Sequence, residues 1–126
     1  MIHVYWFNDE KTIIRLDYES PVASWQEYHD AVNLSYDMAK SVSHQVKLLH
    51  NPGNAAMPAG NALAELNRAI RRVPPNVETV AMVITNGFAR RIVQTVMYIM
   101  RLSQSYKIVQ SLEEAEALVS GVDSTN

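Results

Sequence analysis

"ETVAMVITNGFARRIVQTVMYIMRL", Glu78 to Leu102, decides the fold. After Glu78 the run "TVAMVIT" is apolar and of strand length, as expected of a strand at a sheet centre covered on both faces. Asn86-Gly87 turns the chain, and "FARRIVQTVMYIMRL" continues as a helix. A buried strand feeding directly into a helix is half of a β/α crossover, so the flanking sequence should alternate in the same way.

It does. "YKIVQ" follows as a short strand, and "SLEEAEALV" as a last helix capped by Ser111 with Glu114 three residues on. Upstream, "QVKLLHN" is a strand closed by Asn51-Pro52-Gly53. A second helix is predicted from about Pro58 to Arg72, with proline at its opening, where a missing N–H costs nothing. Its apolar stripe is Ala59, Leu63, Leu66, Ile70 and Val73, with Arg68, Arg71 and Arg72 lying away from it; Pro74-Pro75 stops it. At the N-terminal side, "IHVYWF" and "TIIRLDY" form a hairpin across "NDEK". Ser24 and Glu27 then make a capping box for a helix whose inward residues are Trp25, Tyr28, Val32, Ser35 and Ala39. The order is β-β-α-β-α-β-α-β-α. The fold class is α/β, with a mostly parallel sheet, an N-terminal β-hairpin and crossovers expected to be right-handed.

The chain has 126 residues, which suits one domain, 1–121, with a frayed tail at 122–126. Its net charge of −2 argues against nucleic acid, which demands clustered positive charge. It contains no cysteine, hence no disulfide or thiolate chemistry. No stretch approaches the ~20 apolar residues of a membrane span, and "MIHVYWFNDEK" lacks the pattern of a signal peptide. The expectation is a soluble cytoplasmic protein without a cofactor.

The succession "SWQEYHDAV", "VKLLHN", "PPNVETVAMVITNGFARRI" and "YKIVQSLEEAEAL" resembles the STAS and anti-sigma-factor-antagonist group, in particular its bacterial SpoIIAA-like, STAS/SEC14-like relatives. The resemblance spans nearly the whole chain. It implies a SpoIIAA-like β/α superhelix and protein–protein signalling rather than catalysis. Members of the group carry a phosphorylated serine or threonine at the start of the second helix, in a D-S-S-G or D-S-T-G pattern. The matching stretch here is "MPAG": Met57 replaces the aspartate, Pro58 and Ala59 replace the hydroxyl residues, and Gly60 alone fits. No Ser or Thr occurs between Ser43 and Thr79, so the implied phosphoacceptor is absent.

Ligands of open α/β sheets bind at the carboxyl ends of parallel strands. His50, Asn51, Gly60, Thr85, Asn86 and Gly87 are therefore candidates for a rim holding an anion or small polar molecule. The competing reading makes Asn51-Pro52-Gly53 a turn and Asn86 a helix cap. "GNAAMPAG" lacks the lysine of a phosphate-binding P-loop. His3, His29, His44 and His50 show no metal-ligand spacing, and each is expected at the surface or half-buried. No nucleophile, base and orienting group assemble from order alone, so an enzyme is not expected.

The third helix is apolar over more than one face. Phe88, Ile92, Val96, Ile99 and Leu102 form one band, and Ala89, Val93, Met97 and Met100 widen it. Arg90 and Arg91 occupy the first turn, where the helix dipole disfavours cations. Arg90, Arg91, Val93, Met97 and Met100 are thus the candidate interaction surface, and Met97→Glu should break a homodimer without unfolding it. The expected function is a non-enzymatic interaction module. The alternative is a small-ligand or lipid-binding protein of the same fold.

Overall fold

Side chains of a strand alternate between faces, and here the alternation builds two separate cores. The computed structural model describes residues 1–19, 22–52, 58–101 and 105–120. Its elements are β1 (Ile2–Trp6), β2 (Ile13–Tyr18), α1 (Trp25–Lys40), β3 (Val46–Asn51), α2 (Ala62–Ile70), β4 (Val77–Val83), α3 (Gly87–Met100), β5 (Tyr106–Val109) and α4 (Leu112–Ser120). The five strands lie in sequential order, β1-β2-β3-β4-β5. β1 is antiparallel to β2, and the remaining pairs are parallel. The α/β class and the element order match those expected.

Register aligns the larger core. Trp6, Ile14, Leu48, Val80 and Tyr106 face one another across all five strands, and beside them run Val4, Leu16, His50, Met82 and Ile108. Val32, Tyr36 and Ala39 of α1, Ala69 of α2, and Val93 and Met97 of α3 pack onto these rows. The opposite face presents Ile13, Leu49, Ala81 and Val83, against which α4 lays Ala115 and Val119. Arg15 also points to that face. It is buried because its guanidinium spans Asp17 at 2.9 Å and Glu116 at 3.1 Å, with the Phe7 ring 5.0 Å away. The pairing to Glu116 ties α4 to the hairpin.

Local chemistry sets the element ends. In the hairpin turn Asn8 Oδ1 accepts from the Thr12 and Ile13 amides, and Lys11 takes a left-handed conformation at φ 58°. Ser24 Oγ caps α1 by accepting from Glu27 N, as its sequence predicts. The Glu27 carboxylate reaches past the cap to the Ala23 amide, and that bond holds its pKa below the usual carboxylate range. Helix α2 begins at Ala62, not at Pro58. Gly60 sits at φ +123°, outside the helical region, and Asn61 caps the helix by accepting from Ala64 N. Asn76 Nδ2 bonds the carbonyls of Ala39, Val42 and His44, closing the end of α1 against the entry to β4. Met57, Gly53, Leu102 and the tail fall outside the described residues.

Candidate functional site

The chain places a cleft where the carboxyl ends of β2, β3 and β4 meet the first turns of α1 and the approach to α2. It is lined by Tyr18, Trp25, Tyr28, His50, Met82 and Ile84, among others, and encloses about 90 Å³. A smaller chamber of about 30 Å³ lies deeper, reaching Tyr36, Val80 and Tyr106 and sharing Tyr28, His50, Leu66, Met82 and Val93 with the cleft. The position, at the carboxyl ends of parallel strands, is the one strand direction predicts.

Its chemistry differs from the expected polar rim. Of the six rim candidates, His50 alone lines the cleft. Asn86 caps α3, its side-chain oxygen accepting from the Phe88 and Ala89 amides at 2.9 and 3.0 Å. Those amides are therefore already satisfied and do not wait for an anion. Thr85 and Gly87 are exposed beside it. Asn51 ends β3 in register with Asp17, on the α4 face. Gly60 passes over Trp25 so closely that a Cβ there would sit 3.4 Å from the indole nitrogen. Turn and cap chemistry thus claims most of the rim.

The histidines divide. His3 and His44 are exposed, as expected. His29 and His50 are buried, against expectation, because each finds a partner inside. His29 Nε2 lies 2.8 Å from Glu65 Oε1, and its Nδ1 lies 3.1 Å from an Arg72 guanidinium nitrogen, which links α1 to α2. The imidazole in turn holds the Glu65 carboxyl below its ordinary pKa. His50 shares a 2.8 Å hydrogen bond between Nδ1 and the Tyr18 hydroxyl. Burial pushes His50 down to about 4, so it is neutral across the physiological range.

Sequence reading placed Tyr28 on the inward face of its helix and missed the other three tyrosines of the site. Tyr18 on β2, Tyr28 and Tyr36 on α1, and Tyr106 on β5 come together around the chamber. Burial raises all four phenols, and Tyr106 further raises Tyr28 and Tyr36. Tyr36 donates to Ala69 O at 2.9 Å. Two buried donors, Trp25 Nε1 and the Tyr106 hydroxyl, have no partner among the described residues. The signal was present as Tyr28 and Tyr36 eight residues apart, on one helix face, but partners on β2 and β5 cannot be read from spacing.

The phenols set an alkaline limit. Their folded pKa values lie above 10 while the unfolded chain ionises near 10, so stability falls as pH rises beyond that point. Tyrosinate absorbance in an alkaline titration is expected to rise steeply, together with loss of helical circular dichroism. A gradual rise with the helix signal intact would contradict the buried cluster.

On α3 the structure reverses the expected contact face. Val93 and Met97 are 5% and 7% exposed and belong to the core, so they are not an interaction surface. Ala89, Val93, Val96, Met97 and Met100 make the inward stripe at helical spacing. Phe88, Tyr98 and Ile99 point outward, at 74%, 78% and 67% exposed. A helix apolar on two sides does not reveal by periodicity which side the sheet takes. Met97→Glu would therefore bury a charge and unfold the protein. Arg90 is half-buried and Arg91 exposed in the first turn. Between α2 and α3 lies a groove lined by Leu63, Ala64, Asn67, Val96, Ile99 and Met100.

Among the described residues no group of three or more His, Asp or Glu side chains could hold a metal ion, and no helix is long and apolar enough to cross a membrane. Compared with family models and with curated proteins, the chain matches none.

Proposed function

We propose that this protein is a non-enzymatic, STAS-like interaction module of the cytoplasm that acts by self-association through the α2–α3 face. One observation carries the reading: the outer side of α3 exposes Phe88, Tyr98 and Ile99, and Ile99 also lines the groove between α2 and α3. Large apolar side chains clustered on one face are the mark of an interaction site. None of the six groove residues is charged. The order of elements accords with the STAS resemblance. Neither Pro58 nor Ala59 offers a hydroxyl, so a module of this kind works without the group's phosphorylation switch. Both buried histidines are engaged by partners within the fold, which favours binding over acid–base chemistry.

Ile99→Glu is the direct test. Burying Ile99 in a twofold contact removes two such side chains from water, worth about 3 kcal/mol or more in total. The variant should therefore weaken dimerisation by at least about a hundredfold while its circular dichroism stays native. Leu34→Glu, an equally drastic change at an exposed site on α1, should leave association intact. Undiminished association of Ile99→Glu would overturn the assignment of the face.

A further inference from the structure

We propose that the cleft at the carboxyl ends of β2, β3 and β4 binds a small uncharged molecule, apolar over most of its surface and carrying one hydrogen-bond acceptor oxygen, such as an aromatic ketone or ester. The site shares only Val96 with the α2–α3 groove and does not depend on that contact face.

Three features of the cleft converge. First, the outer chamber of about 90 Å³ and the inner one of about 30 Å³ share five lining residues, so they form one tract with a wide outer part and a narrow inner end. The outer chamber is smaller than the apolar cavity of roughly 150 Å³ that holds a benzene ring, so a single ring seats there with one edge in the open mouth. Second, the tract ends on donors without acceptors. Tyr106 is 6% exposed, its hydroxyl is unpartnered among the described residues, and it lines the inner chamber. Trp25 lines the outer chamber, and its indole N–H is buried beneath Gly60 and likewise unpartnered. A buried donor left without an acceptor costs stability, and an acceptor oxygen delivered by a ligand would recover it. Third, the surroundings reject charge. The lining is aromatic and aliphatic, and His50 stays neutral there with its Nδ1 already bonded to Tyr18. Among the described residues no Lys, Arg, Asp or Glu lines either chamber. A carboxylate or phosphate would lose its hydration with no cation to replace it.

Binding of acetophenone, methyl benzoate, toluene and benzoate to the full chain, followed by calorimetry and by protein chemical-shift changes at neutral pH, tests the assignment. Acetophenone and methyl benzoate should bind saturably, shifting resonances of Tyr18, Tyr28 and Met82. Toluene, which lacks the acceptor, should bind about tenfold more weakly, and benzoate should not bind. Tyr106→Phe removes the inner donor. It should raise the thermal midpoint of the free protein by deleting an unsatisfied hydroxyl, while weakening acetophenone about fivefold to tenfold. Trp25→Phe trims the wall of the outer chamber that the ring packs against and should weaken acetophenone and toluene alike. Failure of both neutral oxygen-bearing probes to bind, benzoate binding as tightly as acetophenone, or undiminished acetophenone affinity in Tyr106→Phe would each overturn the proposal.

Discussion

Acidification from pH 6.5 to 4.5 is expected to cost the folded protein roughly 2–3 kcal/mol through His50 alone. In the unfolded chain this imidazole takes up a proton near its ordinary value of 6.5, whereas burial holds it to about 4 in the fold. Above pH 6.5 both states are neutral and nothing is lost. As pH falls below 6.5 the unfolded state gains a proton that the folded state refuses, so stability drops until about pH 4 and then levels. The window is clean because Glu27 and Glu65, both held below 4.5, surrender their contributions only at lower pH. Urea unfolding across this range should show the loss in the wild type and a flattened profile in His50→Gln. Parallel profiles would mean that His50 is solvated in the native state.

Leu48→Ala should be the most damaging apolar truncation, costing between about 2 and 5 kcal/mol in chemical denaturation. Leu48 is fully buried at the middle of the central strand β3, between Ile14 and Val80 in register, and belongs to the core cluster that Val32, Tyr36 and Val93 also join. Removing its isobutyl group leaves a hole that neighbours fixed by strand pairing cannot fill. Leu34→Ala on α1, away from the α2–α3 face, should change stability by less than about 0.5 kcal/mol, since that side chain is already exposed. A Leu48→Ala loss below about 1 kcal/mol would contradict the packing described for the central strand.

Strand and helix order was legible because each element carries its own local signal. "TVAMVIT" has the run length of a buried strand, Ser24 and Ser111 cap their helices at the expected amides, and Asn86 closes the turn into α3. What failed was everything requiring a partner distant in sequence. The start of α2 moved from Pro58 to Ala62 because Gly60 takes a positive φ to pass over Trp25, an approach that follows from tertiary packing. The inward face of α3 was misassigned because both its sides are apolar and the choice belongs to the sheet. His50 and His29 were placed toward the surface because their partners, Tyr18 and Glu65, lie more than thirty residues away. The cleft itself was located by strand direction alone, yet its apolar character came from tyrosines contributed by β2, α1 and β5.

Self-association depends most on the outward face of α3. Sedimentation equilibrium of the wild-type chain over a range reaching roughly tens of micromolar measures it directly. The apparent mass should climb from 14.2 kDa toward twice that value as concentration rises. A single 14.2 kDa species throughout that range would contradict self-association through Phe88, Tyr98 and Ile99.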